Sequence, residues 1–184
     1  MSSQELVEFA WGLANCGYDF LWIVRNDLLA KGDAAATATL PPEFLEATKG
    51  SASSRAGASR RAVLRHEAVG VFLTHCGWNS TMEGLSAGVP MLCWPFFAEQ
   101  QTNTRYACVE WGVGMEVGDD VRREVVEARI REVMGGEEGR EMKRKAMQWK
   151  DFGVRATMQP GGRSLANLES LLKDVLTASS KKAA

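Results

Sequence analysis

The sequence is poor in the residues that build metal centres, disulfide frameworks and bilayer spans. It has two histidines and four cysteines in 184 residues. The cysteines, Cys16, Cys76, Cys93 and Cys108, are irregularly spaced, form no CxxC pair and have no cluster of histidines beside them, so a zinc site is not expected. No stretch approaches the roughly 18 to 20 apolar residues that cross a bilayer. The opening MSSQELVEF has neither secretory-signal nor transit-peptide character. The expectation is a chain with free thiols in a reducing compartment, cytoplasmic and without a membrane partner. Charge excess is lacking too: 22 basic residues face 23 acidic ones, for a net charge of −1. Bulk electrostatics therefore favour no nucleic-acid partner. Lys143-Arg144-Lys145 and Lys181-Lys182 read as a solvated helix face and a frayed tail. A GxGxxG turn is also missing, which argues against a dinucleotide-binding dehydrogenase.

What is present is an alternation of strand-like and helix-like segments. Ser2 to Glu5 fits a capping box, and Leu6, Phe9, Ala10 and Leu13 follow at helical spacing, with Gly17 as a stop. The apolar run at 20–24 predicts a short strand buried on both faces. The Ala/Thr-rich stretch 30–39 predicts a loop, and Pro41-Pro42 opens a further helix. From residue 62 the pattern is regular. Helices are expected at 63–68, 79–87 and 98–111, with strands at 70–74, 89–93 and 113–117. Three more helices are expected at about 121–134, 138–151 and 163–177. Such alternation implies right-handed βαβ units and a parallel sheet. Two features break it. The chain opens on a helix, and residues 50–61 carry no large apolar side chain where a buried strand is due.

The informative block is LTHCGWNSTME, residues 73–83. A strand leads through a glycine turn into a helix whose first residues are Asn79, Ser80 and Thr81. Backbone N–H groups and small polar side chains at a helix N-terminus suit a phosphate, at the strand ends where open α/β sheets bind ligands. His75 could hydrogen-bond a pyrophosphate oxygen, Glu83 two ribose hydroxyls, and Glu99 with Gln100 the vicinal hydroxyls of a sugar. The plainer alternative stays open on this reasoning: a structural histidine at a strand end and an ordinary helix cap.

The segment HEAVGVFLTHCGWNSTMEGLSAGVPMLCWPFFAEQQTN, residues 66–103, resembles the signature box of the plant secondary-product UDP-glycosyltransferases. The likeness continues in SSQELVEFAWGLANCGYDFLWIVR before it and in WGVGMEV, MKRKAMQWK and GGRSLANLESLL after it. It covers the chain apart from residues 51–61. The resemblance implies an α/β, Rossmann-like parallel sheet with flanking helices, the donor-binding C-terminal half of a GT-B glycosyltransferase. That domain would occupy residues 1–150, with a helical segment at 151–178 and a tail at 179–184. It further implies that His75, Asn79 and Ser80, with the backbone at Gly77 and Trp78, contact the pyrophosphate of a UDP-sugar. Glu83 would hold the ribose, and Glu99 and Gln100, assisted by Trp78, the sugar. Trp78 with Gln100 leans towards UDP-glucose as donor substrate, with no separate cofactor and no metal. Glu99 stands where many relatives have Asp, and both are carboxylates. The PFFAEQQTN form of the box is common in members that glucosylate small hydrophobic acceptors.

The same resemblance places the catalytic base, a histidine oriented by an aspartate, in an N-terminal domain that this chain does not match. Neither His66 nor His75 lies in such a context, so no residue here is expected to be catalytic. A positioned base contributes roughly 10²–10⁴-fold in rate, so the chain by itself is expected to be inactive. A non-catalytic UDP-sugar-binding remnant is the alternative function. Relatives carry a strand before the segment matching Ser2, so the sheet is expected to be incomplete. They also carry a strand of the type Gly-Leu-Leu-Ala-Ser followed by Trp-Cys-x-Gln where this chain has SASSRAGASRR. The uracil-stacking Trp would fall at Gly57 and the Gln at Arg60. Two readings stand: a divergent basic surface loop, or a pair of compensating frameshifts. Codons can be written for SASSRAGASRR that, read from the third base, give Gly-Leu-Leu-Ala-Ser-Trp-Cys-Gln-Gln-Glu.

Overall fold

In a computed structural model, residues 2–22, 41–49, 52–53 and 59–180 are described. The rest of the expected strand at Ile23 and Val24, the expected loop at 30–39, Gly57, and the end of the tail at 181–184 lie outside them. The chain order is α1 (Ser3–Asn15), β1 (Phe20–Leu21), α2 (Pro42–Ala47), β2 (Ala52–Ser53), α3 (Arg60–Leu64), β3 (Phe72–Thr74), α4 (Trp78–Ala87), β4 (Met91–Cys93) and α5 (Gln100–Arg105). A π-helical turn, Tyr106–Glu110, then leads to β5 (Gly114–Glu116), α6 (Arg123–Gly135), α7 (Glu137–Thr157) and α8 (Arg163–Ser180).

Local chemistry accounts for the ends of the elements. Ser2 and Glu5 form the expected capping box, with Ser2 N donating to the Glu5 carboxylate at 2.6 Å and Glu5 N to Ser2 Oγ at 3.2 Å. α1 stops where Gly17 takes φ +80°, and α4 where Gly88 takes φ +71°, a left-handed conformation that costs glycine little. Glycine serves a different purpose at Gly12, where a Cβ would stand 2.6 Å from Val126 Cβ, so α1 and α6 approach closely only without a side chain there. The same interface is tied by Glu8. Its carboxylate accepts from Arg123 N (2.8 Å), Nε (3.0 Å) and a terminal guanidinium nitrogen (2.6 Å). A carboxylate on one helix thus caps the first turn of another, where the helix dipole favours negative charge.

β3, β4 and β5 form a parallel sheet in the order β3-β4-β5, with Phe72 opposite Met91 and Met91 opposite Gly114. Period-two alternation sends the side chains of β4 to opposite faces. Leu92 packs with Phe9, Met115, Val126, Ile130 and Met142, beneath α1 and α6. Met91 and Cys93 pack with Ala107, Val113 and Ala146, beneath the π-helical turn and α7. Helices therefore cover both faces, as parallel strands require.

β1 and β2 form a separate parallel pair, Phe20 with Ala52 and Leu21 with Ser53. The backbone of the anomalous segment thus still supplies a strand at Ala52–Ser53. The expectation that β1 is buried on both faces does not hold over its described residues, since Leu21 is 40% exposed. Three helices also differ from the pattern. The one expected at 63–68 runs Arg60–Leu64, with Ser59 at its N-cap and Arg65 at its C-cap. The one expected at 98–111 starts at Gln100, because Ala98 has φ +55° and is excluded from a right-handed helix. The one expected at 138–151 is α7, which extends to Thr157.

Candidate functional site

β3 ends at Thr74 and α4 begins at Trp78, leaving a three-residue turn, His75-Cys76-Gly77, at the carboxyl edge of the sheet. The turn is held from three sides. Cys76 N donates to Thr74 Oγ1 at 3.1 Å, Thr81 Oγ1 donates to Gly77 O at 3.2 Å, and Asn103 Nδ2, reaching over from α5, donates to Cys76 O at 2.9 Å. Cys76 sits at φ +61°, which costs a residue with a Cβ, and its side chain is fully buried. Asn103 is buried as well, so its bond satisfies a carbonyl that water cannot readily reach. Beneath the turn, hydrogen bonding with the neighbouring Cys108 and Cys76 thiols, with burial behind it, pushes the Cys93 thiol far up, so it stays protonated. All four cysteines are free.

The turn presents its functional groups outward. His75 is exposed, with its imidazole Nε2 2.8 Å from where a Gly77 Cβ would be, so the ring lies over a position that only glycine leaves open. Gly77 is the N-cap of α4, and the first-turn N–H groups at Trp78, Asn79 and Ser80 have no side-chain cap as partner. Trp78 and Asn79 are exposed, while Ser80 is buried. α4 starts one residue earlier than the sequence pattern indicates, which puts Trp78 in the helix and Gly77 at its cap.

Glu83 lies one turn further along α4, with its side chain 22% exposed. It forms an ion pair with Arg60 Nε, at the start of α3. Asn79 and Glu83 share a cavity of about 320 Å³ whose wall is completed by Arg60, Arg61, Arg65 and Ser86. Glu99 and Gln100 stand at the start of α5. Glu99 is exposed, whereas Gln100 is buried and its Oε1 accepts from Phe96 N (2.8 Å) and Phe97 N (3.3 Å). Gln100 therefore shapes the loop between β4 and α5, and no described residue accepts from its Nε2. The structure thus gathers His75, Gly77, Trp78, Asn79 and Ser80 at one turn. It sets Glu83 beside a cluster of arginines and Glu99 and Gln100 at the mouth of the next strand. His66 belongs to another turn, where its Nδ1 accepts from Ala68 N at 3.2 Å.

Sequence reasoning missed Asn103, Thr74 and Thr81 as the residues that hold the turn. Asn103 and Thr81 sit inside the quoted box, but nothing in a one-dimensional pattern says which amide reaches a carbonyl 27 positions away. It also missed the pairing of Arg60 with Glu83.

Comparison with known proteins shows the family and the fold. Residues 1–164 match the family model described as UDP-glucoronosyl and UDP-glucosyl transferase. The chain is 52% identical over 176 residues to UDP-glycosyltransferase 85A8 of Stevia rebaudiana, covering 96% of this chain and 36% of the relative. It is 50% identical over 173 residues to 7-deoxyloganetin glucosyltransferase of Catharanthus roseus, covering 94% and 35%. Among solved structures, the complex of Phytolacca americana UGT2 with UDP-2fluoro-glucose and pterostilbene superposes with a TM-score of 0.82 at 31% identity. That match covers 98% of this chain and 39% of the other. The chain thus spans about a third of the length of the curated relatives it matches.

Proposed function

Because the chain belongs to the UDP-glucoronosyl and UDP-glucosyl transferase family, we propose that it is the donor-binding part of a glycosyltransferase that moves a sugar from a UDP-sugar to a small hydrophobic acceptor. The carrying observation is the β3–α4 turn. An exposed imidazole lies over a glycine, and the helix N-terminus beside it has no side-chain cap. Those groups suit the pyrophosphate of a UDP-sugar through His75, Asn79, Ser80 and the backbone at Gly77 and Trp78. In this reading Glu83 takes the ribose, and Glu99, Gln100 and Trp78 take the sugar, with glucose favoured. The acceptor site and the catalytic base would belong to the remainder of the enzyme. The acceptor class fits the pterostilbene of the Phytolacca complex and the 7-deoxyloganetin of the Catharanthus relative. No helix is long and apolar enough to cross a membrane among the described residues, and the reading includes a cytoplasmic location.

Isothermal titration of the full chain with UDP, and with UDP after His75→Ala, tests the donor site. Binding that weakens on the substitution supports it, and binding indifferent to His75 refutes it. A radiolabelled UDP-glucose assay should show no useful turnover by the chain alone; robust transfer would overturn the assignment of the base to another domain. The alternative is a non-catalytic UDP-sugar-binding remnant, and the Arg60–Glu83 ion pair at the ribose carboxylate counts against tight binding by it. Submicromolar UDP binding would support a dedicated binder, and millimolar or absent binding would count against one.

The anomalous residues 51–61 are further read as the product of two compensating frameshifts. Supporting this are the residue count of the segment, which suits the family pattern, and the resumption of that pattern just beyond. The cDNA decides: if codons 51–61 cannot be shifted into the Gly-Leu-Leu-Ala-Ser-Trp reading, the segment is a divergent loop.

A further inference from the structure

We propose that Arg60 is an internal competitor for the ribose, occupying the carboxylate that the nucleotide needs, so that this chain holds a UDP-sugar by its pyrophosphate with little contribution from the ribose hydroxyls. The inference rests on the donor-site reading above and concerns one end of that site.

A carboxylate that holds a ribose diol must offer an oxygen to each hydroxyl, and an ionised Glu has acceptor capacity only. Glu83 has already committed one oxygen, since its Oε2 accepts from Arg60 Nε. The guanidinium brings a full positive charge to that bond, which a neutral hydroxyl does not, so the diol has to displace a charged partner.

The arginine is not a stray surface side chain swept into the pocket. It is the first residue of α3, a helix anchored by Leu64, which is 4% exposed and packs against Ala87 at the far end of α4 and Val89 just beyond it. The helix that carries the competitor is therefore fixed to the helix that carries Glu83. Arg61 and Arg65 line the same cavity, so three arginines share it with one carboxylate residue. The cavity keeps its attraction for a diphosphate while its one acidic group is already satisfied.

The experiment is titration calorimetry on the full chain with three probes: UDP, 2′,3′-dideoxy-UDP and inorganic pyrophosphate. Wild type should bind UDP and the dideoxy compound with nearly equal affinity. Arg60→Gln should raise the preference for UDP on the order of fivefold, the upper end of what an exposed ion pair is worth. It should leave the dideoxy compound no tighter. The double variant Arg60→Gln, Glu83→Gln should return the preference to near one. Simple loss of a positive charge predicts the opposite sign, weaker binding of both nucleotides, and that result would overturn the proposal. So would a preference unchanged by Arg60→Gln while UDP and pyrophosphate still bind, an outcome that spares the donor-site reading. If neither UDP nor pyrophosphate binds any variant, the reading and the inference fall together.

Discussion

Replacing Glu8 by Gln should remove a pH-dependent part of the stability of the chain. In the folded state Glu8 caps the first turn of α6 and grips the Arg123 guanidinium. Those bonds to Arg123 side chain and backbone lower its pKa from 4.5 to about 2. A native pKa below the unfolded one stabilises the fold above the unfolded pKa, and the contribution disappears as the pH falls through the native value. The window is therefore about pH 4.5 down to about 2. Full conversion of that shift at 1.36 kcal/mol per unit would give roughly 3.4 kcal/mol. Arg123 is 37% exposed, however, and solvent screens the pair, so about 1 kcal/mol is the expected size. Urea unfolding followed by tryptophan fluorescence, in steps from pH 6 to pH 2, provides the measurement. Other carboxylates titrate over the same range, so the gap between wild type and Glu8→Gln is the quantity to read. It should be about 1 kcal/mol at pH 6 and close towards pH 2. A gap that stays constant across the window would refute the assignment of the low pKa to this contact.

Gly12→Ala should destabilise by about 1–3 kcal/mol, because its methyl meets Val126 with no room to move. The same urea assay measures the loss. Asn103→Ala should cost about 1–3 kcal/mol by leaving the buried Cys76 carbonyl unpaired, and should loosen UDP binding along with the turn. Gly77→Ala should separate the two effects. Gly77 has φ −59°, so alanine fits the backbone, but its Cβ would fall 2.8 Å from His75 Nε2. Displacing the imidazole removes one bond to a charged ligand, about 1.5–3 kcal/mol, or roughly tenfold or more in UDP affinity by calorimetry, with an almost unchanged urea midpoint.

The elements legible from sequence were those whose cause is local. The Ser2–Glu5 cap, the Gly17 stop and the parallel β3, β4 and β5 follow from neighbouring side chains and short-range hydrophobic pattern. The glycine turn before α4 was legible for the same reason. What was not legible depends on contacts distant in the chain. Glu8 and Arg123 are 115 positions apart, and Arg60 and Glu83 are 23 apart. Neither pair leaves a periodic trace. Gln100 shows a further limit: nothing in the pattern says that its Oε1 accepts from the Phe96 and Phe97 N–H groups, which leaves the Nε2 end of the amide for any ligand. The exposure of Leu21 was hidden because an apolar run states only what a strand could bury.

The division of the strands into a three-membered set and a two-membered set also ranks how the chain should open. Amides of β3, β4 and β5 sit between two helical layers and should exchange with deuterium only on global unfolding, whereas those of β1 and β2 should exchange through a smaller local opening. The β3–α4 turn is attached to the slow set. A partly opened chain would therefore keep its anion cradle after the β1–β2 pair has come apart, and limited proteolysis should leave α1 and the residues from β3 onward as the last pieces to disappear.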